Sequence, residues 1–79
     1  MVFEKLAEAI AEQFGVELDT ITMETTFEND LGADSLDIVE LSMVLEEKFD
    51  LEEEMGESEI TSIVTVGDLV SYIQRKLDA

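Results

Sequence analysis

The chain predicts an all-α fold, a small up-and-down four-helix bundle with three longer helices, one short third helix and a long first loop. Three observations lead there. Apolar residues recur at helical spacing in three separate segments. Good N-cap residues, Asp34 and Thr65, stand before the second and last of those segments. Between the first two segments runs a stretch with no sustained period, too long for a simple turn. With 79 residues the whole chain, 1–79, is expected to form one domain, near the lower end of what folds without disulfides or metals.

The first helix is expected over about Phe3 to Phe14, with Phe3, Leu6, Ala7, Ile10 and Phe14 on one face. Glu4, Glu8 and Glu12 occupy much of the remaining surface. Gly15 is placed as the residue after the helix cap, where a left-handed conformation is usual. Val16 supplies the apolar contact that often follows. From Val16 to Asp34 the apolar residues are Val16, Leu18, Ile21, Met23, Phe27 and Leu31, set among acids and threonines. A loop with that content is expected to lie across the helical core, with Phe27 and Leu31 as plugs.

Ser35 to Phe49 reads as the second helix. Asp34 is its N-cap and Asp37 stands at N3, an acidic variant of the capping box. Asp50 to Glu59 follows as an acid-rich loop, then a short helical turn over about Ser58 to Ser62 that points Ile60 and Ile63 inward. Thr65 caps the last helix, with Asp68 at N3 and Val66, Leu69, Val70, Ile73 and Leu77 on one stripe. Tyr72 falls off that stripe and is expected to be partly exposed. Arg75 and Lys76 sit in the final turn, where positive charge suits the helix dipole.

The second helix has one apolar face too many. At about 100° per residue, Ile38, Leu41, Leu45 and Phe49 form a core stripe. Leu36, Val39 and Met43 form another on nearly the opposite side, with Glu40, Glu46 and Glu47 around it. One helix of a small bundle does not bury both sides within its own domain. Single exposed apolar residues are ordinary, but three together ringed by acids favour a protein-docking patch. Its partner is expected to present an apolar groove rimmed with arginine or lysine. Met43 suits several partners because its side chain adapts to different surfaces.

Charge and missing residues narrow the chemistry. Twenty-one acids against 4 bases give a formal charge of −17, a field that repels nucleic acid and anionic membranes and attracts basic protein patches. Acidity can also mark disorder, but 46% of the residues are hydrophobic and fall in stripes. Met1 to Lys5 carries no basic n-region or long apolar run, and no stretch approaches a membrane span. A soluble, cytoplasmic protein is expected. The chain has no cysteine and no histidine. That excludes a disulfide framework and the usual zinc, copper and haem ligands, and no metal site is expected. Ser35 stands at the start of the second helix after the Gly32 turn, where helix amides can receive an anion. With no imidazole to activate it, Ser35 is better read as a substrate than as a nucleophile, and no catalytic residue is expected. Any thiol chemistry must arrive on a cofactor.

The run Asp30-Leu31-Gly32-Ala33-Asp34-Ser35-Leu36-Asp37 continues through Val39-Glu40-Leu41 and Leu45-Glu46-Glu47-Lys48-Phe49-Asp50. On these residues the chain closely resembles the acyl carrier proteins of fatty acid synthesis. The likeness extends to the Phe14-Gly15-Val16 ending of the first helix and to Thr65-Val66 through Tyr72-Ile73. The resemblance implies that Ser35 is the attachment point of 4′-phosphopantetheine, transferred from coenzyme A, whose thiol carries acyl groups as thioesters. It implies that Asp34 and Leu36 contribute to recognition by the phosphopantetheinyl transferase. It further implies that Leu36, Val39, Glu40, Met43, Glu46 and Glu47 meet fatty acid synthesis enzymes with basic docking patches. Candidates for an acyl pocket are Phe27, Ile38, Leu41, Leu45, Ile60 and Ile63, each equally well explained as core. The protein is expected to be a monomer and not an enzyme.

One departure stands out. The region Leu51 to Glu59 contains no proline and runs about two residues longer than the family pattern. Three other readings remain open at this point. The carrier could serve a polyketide, aminoacyl or D-alanyl cargo, which nothing in the residues names. An acidic nucleic-acid mimic fits the charge but leaves the Ser35 segment without a reason. A calcium-binding loop needs oxygen ligands at fixed offsets from a glycine, and none of the four glycines provides them.

Overall fold

The computed structural model describes residues 2–51 and 55–78. Four helices follow in order: α1 (Val2–Phe14), α2 (Ser35–Lys48), α3 (Glu57–Ser62) and α4 (Val66–Asp78). A short 3₁₀ turn at Leu18–Thr20 interrupts the first loop. Among the described residues there is no strand, only an isolated antiparallel bridge between Thr26 and Thr65.

The helices form where the apolar stripes and caps coincide. Leu6, Ala7 and Ile10 of α1 are buried, with Phe3 and Phe14 half-buried near its two ends. Gly15 takes a φ of +66°, and the Val16 amide donates to the Ala11 carbonyl at 3.2 Å. That six-residue closure satisfies a carbonyl the helix itself leaves open. α2 ends the same way, with Leu51 N–H donating to Glu46 O at 2.7 Å. Its left-handed residue, however, is Asp50, at φ +55°, not a glycine. α3 begins at Glu57, one residue earlier than the spacing suggested. Gly56 precedes it, and the Glu59 carboxylate accepts the Gly56 amide at 2.9 Å.

α1 packs against both α2 and α4, and α3 packs against α2. The fully buried side chains are Leu6, Ile10, Phe27, Leu41, Leu45, Val66, Leu69 and Ile73. Each contributes at most about 1.5–3 kcal/mol by leaving water. Phe27 is the one member of this set that no helix supplies.

Three expectations need correction. Tyr72 is only 2% exposed. Its position lies about 60° from Leu69 at 100° per residue, so the buried stripe of α4 is wider than the aliphatic residues alone indicate. The Lys76 ammonium lies 5.5 Å from the Tyr72 ring centre, one turn further on. Leu77 has the right angle but stands in the last turn and is exposed. The first loop covers the core with Ile21 and Phe27, helped by the part-buried Val16 and Leu31, whereas Leu18 and Met23 face solvent. Of the expected acid-rich loop from Asp50 to Glu59, residues 52–54 lie outside the described residues.

The first loop is fastened to the segment between α3 and α4. Phe27 N–H donates to Val64 O at 3.0 Å, Val66 N–H to Thr25 O at 2.8 Å and Gly67 N–H to Met23 O at 2.8 Å. The contact is close: a Cβ at Gly67 would sit 3.0 Å from the Met23 carbonyl oxygen, so a side chain there would have to push the loop back by a few tenths of an ångström. At the start of α4, Thr65 Oγ1 accepts the Asp68 amide at 3.1 Å. Asp68 Oδ2 accepts the amides of Val64 and Thr65, both at 3.0 Å.

Two stability measurements follow from these ends. Asp50→Gly relieves a left-handed aspartate and removes an anion from a helix C-terminus, against the extra freedom glycine has when unfolded. A net gain of about 0.5–1 kcal/mol is expected from the urea midpoint; an unchanged or lower midpoint would show that Asp50 is not strained. The Thr65 and Val64 amides hold the Asp68 carboxyl below its ordinary value of 3.8, the Thr65 hydroxyl adding to the effect and partial desolvation opposing it. A depressed carboxyl stabilises the fold above its unfolded pKa and loses that contribution as pH falls through the lower folded value. The stability difference between wild type and Asp68→Asn should therefore be constant near neutrality and shrink below about pH 4. A difference independent of pH down to acid unfolding would refute it.

Candidate functional site

The segment before α2 bends at Gly32, which has a φ of +64°. It is then tied to the loop by the Ala33 amide, which donates to Phe27 O at 2.8 Å. Ala33 is buried, and the chain emerges into solvent at Asp34 and Ser35. Asp34 caps α2 reciprocally with Asp37. Asp34 Oδ1 accepts the Asp37 amide at 3.0 Å, and Asp37 Oδ2 accepts the Asp34 amide at 3.1 Å. From α1, Gln13 Nε2 donates to the Asp37 carbonyl at 3.2 Å and braces this end of α2 against the bundle.

Ser35 is the first residue of α2 and is exposed. Its hydroxyl makes no hydrogen bond among the described residues. The nearest carboxylates in sequence, Asp34 and Asp37, are occupied with the cap. Nothing here withdraws the hydroxyl proton, so the serine is not set up as a nucleophile in its own reaction. The amides of Ser35 and Leu36 also make no hydrogen bond among the described residues, and they belong to a helix N-terminus. Such donors suit an anion bonded to the neighbouring hydroxyl.

Ser35 stands on the rim of a cleft of about 440 Å³. Phe27, Ala33, Ile38, Ile60 and Ile63 give it an apolar lining, completed by Val64. Glu28, Asp34 and Thr61 complete the rim with Ser35. Four of the six candidate pocket residues, Phe27, Ile38, Ile60 and Ile63, border this space. Leu41 and Leu45 do not; both are fully buried further along α2, in the core. Sequence spacing did not find Ala33, Val64, Thr61 or Glu28. Val64 joins the lining because its carbonyl pairs with the Phe27 amide across segments far apart in the chain.

The second stripe of α2 is where spacing placed it. Leu36 is 66% exposed and Met43 56%, with Val39 half-buried between them. Glu40 and Glu47 are exposed and Glu46 is half-buried. Val44, which spacing did not single out, is also exposed. Ser35 and this stripe therefore open onto solvent from the same helix. Among the described residues, no group of three or more acidic side chains is gathered so as to hold a metal ion, and no helix is long and apolar enough to cross a membrane.

Comparison with known proteins bears on this geometry. Residues 4–73 match the family described as the phosphopantetheine attachment site. The acyl carrier protein of Clostridium acetobutylicum is 54% identical over 74 residues, 94% of each chain. Among solved structures, the acyl carrier protein of Thermotoga maritima superposes with a TM-score of 0.76 at 36% identity, covering 94% of this chain and 84% of that one. That of Enterococcus faecalis gives 0.76 at 33% identity, covering 95% and 92%. An exposed helix-start serine beside an apolar cleft thus occurs in a chain that belongs to the acyl carrier protein family.

Proposed function

We propose that this protein carries acyl chains as thioesters on a 4′-phosphopantetheine arm attached to Ser35, and presents them to the enzymes of fatty acid synthesis. The observation that carries the reading is the position of Ser35. Its exposed hydroxyl stands at a helix start with two unengaged amides beside it, on the rim of an apolar cleft. When bound, the arm supplies the thiol that a chain without cysteine lacks. In the transfer, the Ser35 oxygen bonds to the phosphorus next to the pantetheine of coenzyme A. The pyrophosphate bond breaks, adenosine 3′,5′-bisphosphate departs, and the hydroxyl proton passes to a base on the transferase.

The chain's own residues then divide the remaining work. Ser35 and Leu36 offer amides to the phosphodiester, while Asp34 and Leu36 flank the hydroxyl for recognition by the transferase. Phe27, Ile38, Ile60 and Ile63 offer apolar surface to an acyl chain, with Leu41 and Leu45 as the packed floor behind them. Leu36, Val39 and Met43 dock in an apolar groove on the partner enzyme, and Glu40, Glu46 and Glu47 meet its basic rim. The protein works as a cytoplasmic monomer, with residues 1–79 forming one carrier domain.

Incubation with coenzyme A and a broad-specificity phosphopantetheinyl transferase should add one phosphopantetheine to the intact mass. Ser35→Ala should abolish the addition and, as an exposed change, shift stability by no more than about 0.5 kcal/mol. An unmodified wild-type chain, under conditions that load a control carrier, would overturn the assignment. Charge reversal at Glu40 or Glu46 should weaken binding to a ketoacyl synthase roughly two- to tenfold at low salt, and less at high salt. Equal loss at every ionic strength would rule out the electrostatic account of docking.

A further inference from the structure

The cleft beside Ser35 has one wall that no helix makes. Ile63 and Val64 belong to the connection between α3 and α4, yet both line the cleft. A three-residue connection, Ile63 to Thr65, has few contacts of its own to hold it in register, and α3 itself is only six residues long. What holds it comes from both sides. On the loop side, Val64 O accepts the Phe27 amide at 3.0 Å. On the other side, Asp68 reaches back from the first turn of α4 and takes the Val64 and Thr65 amides on a single carboxylate oxygen. Capping α4 does not require this second function. The cap of α4 is made by Thr65 Oγ1, which accepts the Asp68 amide, and an ordinary capping box would engage only one amide of the preceding segment. The Val64 bond extends the grip into the cleft wall.

We infer that Asp68 is a positioning residue for cargo storage, one that holds the Ile63–Val64 wall of the cleft against the loop and Ser35. The inference rests on the carrier reading above. Backbone bonds lead from the carboxylate to the serine. Asp68 holds the Val64 amide, the Val64 carbonyl receives Phe27, and the Phe27 carbonyl receives Ala33, two residues before Ser35. Phe27 is at once a lining residue and 1% exposed, so the loop side of this arrangement is anchored in the core. On the linker side Ile63 and Val66 are buried, but Val64 between them is 57% exposed and is held by its backbone bonds. Without Asp68, the Val64 amide has no acceptor among the described residues, and Val64 keeps one hydrogen bond where it had two. Charge-assisted bonds to a carboxylate are the stronger kind, so the loss of Asp68 should loosen Val64 between its buried neighbours Ile63 and Val66.

Two measurements on the full-length chain test this. The first uses the protein without its arm and follows amide hydrogen exchange in wild type, Asp68→Asn, Asp68→Ala and Thr65→Ala. Asp68→Ala should speed exchange at Val64 and Phe27 roughly two- to thirtyfold, the span of a lost cap bond. Asp68→Asn should fall between, and α1 amides such as Ile10 should be unchanged. Thr65→Ala, which removes the helix cap and leaves the carboxylate, should speed the first turn of α4 and leave Phe27 slow. If Thr65→Ala and Asp68→Ala give the same pattern, or if Val64 and Phe27 do not respond to Asp68→Ala, Asp68 is only a helix cap and the inference fails. The second measures attack of hydroxylamine on octanoyl- and acetyl-loaded protein. Asp68→Ala should speed loss of the octanoyl thioester several-fold while the acetyl thioester, too short to use the wall, keeps its wild-type rate. Equal acceleration of both, or of neither, overturns the inference. A chain that accepts no arm would instead fail the carrier reading and leave the exchange measurement to decide the role of Asp68.

Discussion

The site depends on a meeting of two segments that are not helical. Residues 23–27 of the first loop and residues 64–67 before and at the start of α4 exchange three backbone hydrogen bonds. Around them lie the bridge of Thr26 with Thr65 and the close approach of Gly67 to Met23. Helix packing alone would bring α1, α2 and α4 together around Leu6, Ile10, Leu41, Leu45, Leu69 and Ile73. It would not fix Phe27, nor set Ile63 and Val64 across from the start of α2. The loop–linker pairing does both, and each bond in it matters because a polar backbone group left unpaired there would cost about 1–3 kcal/mol. The apolar weight of Phe27 and the backbone bonds support one another: the ring seals the core, and its amide and carbonyl locate the two sides of the cleft.

This division explains what could be read from the residues. Elements whose geometry is periodic were legible. The stripes of α1, α2 and α4, the cap at Asp34 with Asp37, the glycine end of α1 and the solvent-facing Leu36–Val39–Met43 stripe all follow from 3.6 residues per turn and cap chemistry. The position of Ser35 at the start of α2 was legible from the Asp34 cap. Pairings between distant segments left no local signal. Nothing in the spacing of Val64, Thr61 or Glu28 places them at the cleft, and nothing in Leu41 or Leu45 separates a cleft residue from a core residue behind it. Nothing local gives the reason for Gly67, which is its close approach to the Met23 carbonyl of another segment. Tyr72 was misjudged because an aromatic ring near the edge of a stripe can be buried at an angle where a small aliphatic residue would not matter.

The charge of −17 acts on this arrangement at two levels. Summed over so small a surface it disfavours the compact state by self-repulsion. The fold must offset that with a core whose fully buried members come from three helices and one loop residue. Locally the same acids are put to use. Asp34, Asp37, Glu59 and Asp68 each accept backbone amides at or near helix starts, where negative charge is favoured by the dipole. Glu40 and Glu47 stand in solvent beside the apolar stripe of α2. A basic partner covering this face, as proposed, would remove apolar area from water and relieve the repulsion together, so the features that tax the isolated protein would favour such a complex.

The start of α2 shows a balance suited to a tether. Two amides, those of Ser35 and Leu36, are open to an anion, and the helix dipole adds to their pull. Against this stand two carboxylates, Asp34 and Asp37, within two residues of the serine. Two unit charges about 4 Å apart in water repel by about 1 kcal/mol, comparable with the roughly 0.3–1 kcal/mol that a helix terminus gives to an anion. The terms come close to cancelling. A phosphodiester on Ser35, as proposed, would therefore be tolerated without being clamped, and the atoms beyond it would be left free to turn toward the cleft or outward along the α2 face. A stronger anion site would fix the arm in one pose. A purely acidic one would make attachment costly. With the acids committed to the capping box and only two amides left open, the segment would hold the attachment point proposed at Ser35 still while letting what it carried move.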